Sequence, residues 1–271
     1  MTAMLVIEWS QFLEEALPLG GNPSAVTVGV FDGVHRGHKA LIEQVVSKKK
    51  HAVPVVVCFR QSQHKEKNPD GREYPGDILT IRQKMDIFES LGVSITIIIE
   101  FSEPLIRMKG ADFLRILQEH GKMKFMAVGS DFRCGYQLDT DALTIKKINA
   151  GLDIQTRVIE PLTEGGQPVS SSQIRAAIAQ GNLKEADAML GRPFTVDLFG
   201  ASVSHTAGGA AYDIAGRGGI LPPSGKYQVL LFEKNCEQNA GKPAEITVEN
   251  GNIIIAGNLT GVFPEYVRFY P

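Results

Sequence analysis

Short runs of apolar residues recur along the N-terminal half of the chain, and the stretches between them have the spacing of helices. The uninterrupted runs predict buried strands at 26–31, 53–59, 94–99, 124–129 and 154–159, since strands covered on both faces of a parallel sheet are apolar throughout. The intervening patterns predict helices at about 38–50, 80–91, 110–120 and 139–150, with Thr80 as an N-cap and Gly92 as a stop. Repeated strand-then-helix units are typical of an α/β fold whose parallel sheet is covered by helices.

The hydrophobic pattern changes near residue 192, where Pro193 precedes segments with strand character. Strands are predicted at 226–233, 244–248, 252–256 and 265–270, and Asn250-Gly251 predicts a type I′ hairpin turn between two of them. We therefore predict two domains. Residues 1–192 form the α/β domain, and residues 193–271 form a small all-β, barrel-like domain.

The composition is that of an ordinary globular protein, and it narrows the function classes. Of the 271 residues, 43% are hydrophobic and 21% charged, and the net charge is −2, so no basic surface indicates nucleic-acid binding. We find neither a signal-peptide pattern at the start nor an apolar run long enough to span a membrane. Cys58, Cys134 and Cys236 are odd in number and widely spaced, as in proteins of reducing compartments. These features predict a cytoplasmic protein without nucleic-acid or membrane partners.

The strand predicted at 26–31 leads directly into the segment that contains the strongest candidates for functional residues. Gly33 and Gly37 let a ligand approach the backbone, and the next helix directs its free N–H groups and positive dipole end at the turn. His35 and His38 are three residues apart there and so lie on one face of the helix. They could instead be a surface pair or metal ligands, but a metal site needs more ligands and the neighbourhood offers only Asp32. We therefore predict a polyphosphate site without protein metal ligands.

Residues 129–135 leave the predicted strand at 124–129 as a polar loop flanked by glycines. Glycine and aspartate are common in turns, so the segment is either a plain turn or part of a ligand site.

Three serines at 170–172 are followed by Arg175 and by a predicted helix that Gly181 ends. One serine is expected to cap this helix. The remaining hydroxyls and the guanidinium suit phosphate oxygens. A second helix is predicted at 183–190, with Asn182 and Glu185 in a capping-box pattern.

The three motifs together resemble one enzyme family. The string G-V-F-D-G-V-H-R-G-H at 29–38 resembles the H-x-G-H signature of adenylyl- and cytidylyltransferases, and its form is most similar to the prokaryotic bifunctional FAD synthetases. The loop at 129–135 resembles the flavin-side loop of that family, with Cys134 where an aromatic residue is usual. The segment at 169–175 resembles its I-S-S-T-x-I-R motif, with Ser172 in place of the threonine.

The resemblance implies a Rossmann-like nucleotidyltransferase domain that converts ATP and FMN to FAD and pyrophosphate, with Mg²⁺ bridging the phosphates. The catalytic residues that it implies are His35, His38 and Arg175. The ATP-binding residues that it implies are Gly29, Phe31, Asp32, Gly33, Gly37, Ser171 and Ser172. For Asp32 a turn-capping role is the alternative. The flavin-binding residues that it implies are Phe59, Gly129, Asp131 and Phe132.

Two segments depart from the family. The string L-P-P-S-G-K-Y at 221–227 resembles a riboflavin kinase barrel, but A-G-G-A-A-Y-D-I at 207–214 stands where the kinase motif P-T-A-N is expected. We also find no counterpart of the kinase glutamate, so the C-terminal domain is predicted to be a truncated, kinase-like domain without kinase activity. In the α/β domain, C-F-R-Q-S-Q-H at 58–64 replaces T-F-x-P-H-P, and residues 60–77 are predicted to be a surface loop of the kind that closes over a substrate.

Several alternatives stay open from the sequence. The chain could be a bifunctional enzyme, a nucleotidyltransferase with another phosphate acceptor, or a flavin- or nucleotide-binding protein without catalysis. We expect a monomer or a weak homo-oligomer.

Overall fold

Six parallel strands between residues 5 and 159 form one sheet. The computed structural model describes residues 3–15, 17–60, 75–100, 103–206, 209–233, 240–256 and 264–270. The first elements are β1 (Leu5–Glu8), α1 (Trp9–Glu14), β2 (Ser24–Gly29), α2 (Arg36–Val46), β3 (Val53–Arg60), α3 (Ile81–Ser90), β4 (Ile95–Glu100), α4 (Glu103–Ile106), α5 (Gly110–Gly121), β5 (Met123–Gly129), β6 (Arg133–Cys134), β7 (Thr140–Asp141), α6 (Ala142–Gly151) and β8 (Gln155–Ile159). The α/β fold predicted for this region is confirmed.

The strand order of this sheet is β1-β4-β3-β2-β5-β8. From β2 the chain proceeds outward through β3 and β4, and then returns to the other side of β2 with β5 and β8. The strand order therefore reverses between β2 and β5, at whose carboxyl ends ligands bind in open α/β sheets.

Most of the strands are buried as their apolar runs predict. The central part of β3 is buried from Pro54 to Cys58, and β4 is buried from Ile95 to Ile99. The core on one side of the sheet includes Phe12, Leu114, Met123, Met126 and Ile145, all fully buried or nearly so. Strand β1 and helix α1 were not predicted, because β1 is a four-residue edge strand with a single buried side chain.

Element boundaries differ from the predictions where side chains cap helices. Helix α6 begins at Ala142 and not at 139, because the carboxylate of Asp141 accepts a hydrogen bond from the Thr144 N–H at 2.8 Å. Helix α2 ends at Val46, four residues before the predicted end. Helix α3 begins immediately after Thr80, as predicted, and Gly92 follows it with a φ of +90°.

Seven strands form an antiparallel sheet in the last third of the chain. The remaining elements are β9 (Thr163–Glu164), β10 (Gln167–Pro168), α7 (Ser171–Ala179), α8 (Leu183–Leu190), β11 (Thr195–Asp197), β12 (Ser202–Thr206), β13 (Gly209–Asp213), β14 (Gly225–Phe232), β15 (Lys242–Glu249), β16 (Asn252–Ala256) and β17 (Tyr266–Phe269). The order of the sheet is β11-β17-β14-β15-β16-β13-β12. The four predicted strands correspond to β14 to β17, whereas β11, β12 and β13 were not predicted.

This sheet is curled, which confirms the barrel-like prediction. Its two outermost strands, β11 and β12, are consecutive in the chain and joined by only four residues. Seven strands laid flat would place them about 29 Å apart, whereas the connection reaches about 18 Å at most. The sheet must therefore bend until its edges approach each other. Asn250 and Gly251 join β15 to β16 with φ values of +51° and +78°, as the predicted type I′ turn requires.

The chain divides into two units, residues 1–62 with 84–163 and residues 63–83 with 164–271. The boundary predicted near residue 192 marks the change from helices to strands and does not coincide with this division. Helices α7 and α8 group with the β-sheet because, for example, Asp187 on α8 accepts a hydrogen bond from the Phe194 N–H at 2.7 Å. Residues 75–83 join the same unit through Arg82, which pairs with Asp197 at 2.5 Å and with Glu265 at 2.6 Å.

None of the helices within the described residues combines the length and apolar character that crossing a membrane requires.

Candidate active site

Three of the motif segments begin at neighbouring strand ends. Strand β2 lies between β3 and β5, and all three strands are parallel, so their carboxyl ends share one edge of the sheet. The H-x-G-H turn follows β2, the segment that begins with Cys58 and Phe59 ends β3, and the Gly129 loop follows β5. The sheet therefore brings together the histidine and flavin-side motifs that the sequence singled out.

The turn after β2 has an unusual backbone. Strand β2 ends at Gly29 and not at Phe31 as predicted, because Phe31 already has a left-handed conformation with φ +51°. Gly33 and Val34 also have positive φ values, +78° and +36°. Gly33 adopts this conformation without steric cost, whereas a β-branched residue rarely does. A Cβ on Gly29 would lie 3.2 Å from the Phe31 ring, so a side chain there would require the ring to move by a few tenths of an ångström.

His35 and His38 are stacked at the start of helix α2. Their ring centroids are 3.6 Å apart with an interplanar angle of 20°. His35 is 6% exposed and is the N-cap of α2, because its Nδ1 accepts a hydrogen bond from the His38 N–H at 3.3 Å. An accepting Nδ1 carries no proton, so the neutral imidazole of His35 has its proton on Nε2. The result is a pair of imidazoles at a helix N-terminus, where the backbone dipole favours anions.

Phe31 and Asp32 come just before this pair in the chain and are buried. The Phe31 ring, 1% exposed, contacts His38 edge-on at 5.2 Å and Phe88 at 5.6 Å between ring centroids. Asp32 is 2% exposed. The Phe31 ring therefore supports His38 from behind, and the ATP contacts predicted for Phe31 and Asp32 stay predictions.

Lys84 also belongs to this region, although it lies in none of the predicted motifs. It is 2% exposed, and its ammonium donates a hydrogen bond to the carbonyl oxygen of Val30 at 3.0 Å. Burial raises the pKa of the neighbouring Cys58 thiol to about 11, with the charge of Lys84 lowering it and that of Asp32 raising it. The only feature of the sequence that relates Lys84 to this region is its place on the predicted helix, on the same face as Phe88 four residues later.

The Gly129 loop is a tight turn that flanks β2. The Phe132 N–H donates to the Gly129 carbonyl at 3.1 Å, and the Ser130 N–H donates to the Ile159 carbonyl at 2.9 Å. A Cβ on Gly129 would lie 2.7 Å from the Asp131 carboxylate. Phe59 and Phe132 are half-buried against the core at the ends of β3 and β5, whereas Asp131 is exposed. The two aromatic residues thus lie on either side of β2.

The serine motif begins helix α7, in the second unit, whereas the two histidines are in the first. The prediction that one of the three serines caps this helix is confirmed, and the cap is Ser170, whose hydroxyl accepts a hydrogen bond from the Gln173 N–H at 3.3 Å. Arg175 lies one turn further on and donates to the Ser172 hydroxyl at 3.4 Å. Ser171 and Ser172 are the first two residues of the helix, so the capping role is filled without them.

The capping box predicted at the start of α8 is wrong. Helix α8 has the predicted bounds, but the Asn182 side chain makes no capping hydrogen bond and donates instead to the Gln180 side chain at 3.4 Å. Asn182 has a ψ of +61°, outside the extended conformation of an ordinary N-cap.

The described residues hold no group of three or more histidine, cysteine or acidic side chains that suits a metal ion. Mg²⁺ commonly needs only one or two carboxylates when substrate phosphates supply other ligands. The carboxylate at the histidine turn that such an ion would use is that of Asp32, which is 2% exposed. The predicted surface loop at 60–77 lies largely outside the described residues, which leave out 61–74.

Comparison with known proteins gives consistent matches. A family model described as FAD synthetase matches residues 20–173. The bifunctional riboflavin kinase/FMN adenylyltransferase of Escherichia coli (strain K12) is 30% identical over 212 residues, which cover 76% of this chain and 67% of that protein. The protein of the same name from Haemophilus influenzae is 25% identical over 218 residues, or 79% of this chain and 70% of that protein.

A solved structure also matches. A Streptococcus pneumoniae protein described as a macrolide-efflux protein has a TM-score of 0.77 and 23% sequence identity, covering 98% of this chain and 89% of that one. At this identity the likeness shows the fold alone.

Proposed function

The chain belongs to the FAD synthetase family of nucleotidyltransferases, and we propose that it transfers the adenylyl group of ATP to FMN, forming FAD and pyrophosphate. The observation that carries this proposal is the stacked pair of His35 and His38 at the N-terminus of α2, next to the reversal of the strand order. Imidazole donors, helix N–H groups and a dipole directed at one place are what a triphosphate needs.

The reaction needs no covalent enzyme intermediate. An oxygen of the FMN phosphate attacks the α-phosphorus of ATP, a new P–O bond forms, and the bond from that phosphorus to the bridging oxygen of the β-phosphate breaks. The electron pair leaves with pyrophosphate. Because the attacking phosphate is already a nucleophile, the protein mainly positions the two substrates and stabilises the developing charge.

His35 and His38 donate hydrogen bonds to the α-phosphate and the bridging oxygen. The tautomer of His35 suits this role, since Nδ1 is used in capping and the proton is on Nε2. A hydrogen bond to a charged group contributes about 1.5–3 kcal/mol, so losing one donor is expected to slow turnover by roughly ten- to a hundredfold.

The remaining predicted residues have assigned roles in the proposal. Ser171, Ser172 and Arg175 contact the β- and γ-phosphates, as the motif resemblance implies, and Mg²⁺ enters as part of MgATP. Gly29, Gly33 and Gly37 leave room for the nucleotide along the turn. The flavin ring lies at the residues that flank β2, namely Phe59, Gly129, Asp131 and Phe132. A cytoplasmic location and a monomeric or weakly associated state are retained as predictions.

We also propose that the chain lacks riboflavin kinase activity, although its relatives are named as bifunctional. The support is the segment where the kinase motif is expected. There the described residues form β13, whose central side chains, Ala210, Ala211 and Tyr212, are buried in the sheet. These residues offer no threonine and asparagine pair to hold a nucleotide.

The test is a pair of incubations with ATP and Mg²⁺, one with FMN and one with riboflavin, followed by chromatography of the flavins. We expect FAD from FMN and unchanged riboflavin. FMN formed from riboflavin would show a kinase site and contradict the second proposal. No FAD from FMN would contradict the first. Other phosphate acceptors, such as pantetheine phosphate, nicotinamide mononucleotide and glycerol phosphate, would then be tried.

A non-catalytic binding protein is distinguished by mutation. Alanine at His35 or His38 should lower turnover far more than ATP binding, and His51→Ala is the matched control because His51 is exposed beyond the end of α2. Equal losses of turnover and binding would contradict a role in the transition state.

A further inference from the structure

The ammonium of Lys84 is buried in an unusual way. It is 2% exposed, and the carbonyl oxygen of Val30 at 3.0 Å is its only hydrogen-bond partner within the described part of the chain. An ammonium has three N–H donors, and burying one with a single hydrogen bond is costly. Lys84 is therefore a buried, hydrogen-bonded residue and not an ordinary exposed lysine of a surface helix.

The carbonyl that Lys84 binds belongs to the strained turn. Val30 is directly followed by Phe31, whose φ is +51°, and Val34 has a φ of +36°. Such conformations persist in non-glycine residues only where the surroundings enforce them. His35 and the start of α2 come immediately after this turn, so its geometry determines where the two imidazoles lie.

Helix α3 holds the turn at two adjacent residues. Lys84 and Phe88 are four residues apart and thus on the same face of α3. Lys84 binds the Val30 carbonyl, and Phe88 packs against the Phe31 ring with centroids 5.6 Å apart. The Phe31 ring in turn contacts His38. A continuous series of contacts therefore connects α3 to the histidine pair.

We propose that Lys84 is a positioning residue for adenylyl transfer, whose buried ammonium locks the turn after β2 so that His35 and His38 keep their stacked arrangement. The proposal rests on the proposed function for its kinetic consequence. Its structural consequence, the stacking of the imidazoles, does not depend on the reaction.

The experiment compares the wild type with Lys84→Met, which keeps a chain of similar length and removes the charge. We expect kcat for FAD formation to fall by roughly ten- to a hundredfold, because displacements of about 1 Å at reacting groups have effects of this size. The KM for ATP should change much less. The thermal unfolding midpoint is measured on the same samples, so that a loss of folded protein is distinguished from a loss of positioning. Lys49→Met is the control, as Lys49 is exposed and lies three residues beyond the end of α2.

A second variant tests the charge directly. Lys84→Ala leaves a space that propylammonium can enter, so propylamine should restore a measurable part of kcat, whereas propanol of similar size should not. NMR spectra of the imidazole C–H groups give a readout without substrate. In the wild type, the signals of His35 and His38 should be shifted by their mutual ring currents, and in Lys84→Met this shift should shrink.

The outcomes separate this inference from the proposed function. If the wild type forms FAD, a Lys84→Met variant with kcat within about twofold of the wild type would overturn the inference, because a lost positioning group costs far more. A kcat loss that merely follows a loss of folded protein would overturn it too. If the wild type forms no FAD, the proposed function fails, and the NMR comparison decides alone. Unchanged imidazole signals in Lys84→Met would then overturn the inference.

Discussion

Two different roles of His35 are separable by mutation. Its Nδ1 caps helix α2 by accepting from the His38 N–H at 3.3 Å, and its Nε2–H is proposed to donate to the phosphates. Alanine removes both functions. Asparagine removes the imidazole and can still cap the helix, since it is among the best N-cap residues. The pair His35→Ala and His35→Asn therefore tests capping and chemistry separately.

The expected magnitudes follow from these contacts. Losing an N-cap costs about 1 kcal/mol of unfolding free energy, so His35→Ala should be less stable than His35→Asn by about that amount. Both variants lose the stacked ring, 3.6 Å from that of His38, and this loss cancels in the comparison between them. Activity should fall in both variants by roughly ten- to a hundredfold, the equivalent of one hydrogen bond to a charged group.

Three measurements compare His35→Ala and His35→Asn with the wild type and with each other. FAD formation at saturating FMN gives kcat and the KM for ATP, and calorimetric titration gives ATP affinity. Urea unfolding followed by circular dichroism gives the stability difference. His51→Asn is the control for changing a histidine that lies outside the site.

Two results would refute this reasoning. If His35→Asn retained more than half of the wild-type kcat, the imidazole would not be the donor. If His35→Ala and His35→Asn unfolded at the same urea concentration, the capping hydrogen bond would contribute no stability. The first result concerns catalysis and the second concerns stability, so each can be interpreted without the other.

Three further predictions concern stability and reactivity. Arg82→Met should destabilise the protein by about 3 kcal/mol, because the 2%-exposed carboxylate of Asp197 loses its hydrogen-bonded ion pair with Arg82; urea unfolding checks this, with Arg82→Lys as the control, and a loss below about 1 kcal/mol would contradict it. Burial raises the pKa of the Cys58 and Cys134 thiols to about 11, so both should resist iodoacetamide at about pH 8 in the folded protein; peptide mass spectrometry measures this, and fast alkylation of either would refute it. Burial also raises the pKa of Asp187. Its carboxylate therefore forms more easily in the unfolded chain, and stability is lost as pH rises through the folded-state pKa. Asp187→Asn should raise the thermal midpoint at about pH 7.5 but not at about pH 3.5, where both states are largely protonated; an equal gain at both pH values would contradict the assignment.

Features that depend on neighbouring residues in the chain were predictable. The type I′ turn at Asn250-Gly251, strand β16 at Asn252–Ala256 and helix α8 at Leu183–Leu190 lie where the sequence placed them. Turn conformations and hydrophobic periodicity are local properties, so the sequence states them directly. The histidine turn belongs to the same class, because a strand, a glycine turn and a helix follow one another there without interruption.

Strands whose own sequence gives only a weak strand signal were not predicted. Strand β1 is short and mostly exposed, and its pairing with β4 is what makes it a strand. Strand β13 is built from Gly209, alanines and one tyrosine, a composition with little strand preference. Both exist because partners elsewhere in the chain supply the hydrogen bonds.

The sequence by itself determined that this chain has a nucleotidyltransferase signature at the end of a buried strand, followed by a helix that can bind phosphates. Only the tertiary structure decided that the strand order reverses beside that strand, that the His35 and His38 rings stack, and that the Lys84 ammonium binds the turn before them. The physical reason is the range of the interactions. Backbone conformation and amphipathic spacing act over a few residues, whereas the Lys84 ammonium meets the Val30 carbonyl across 54 positions of the chain. Contacts between residues so far apart in the chain depend on how helix and sheet pack. The spacing of residue types along the sequence does not indicate them.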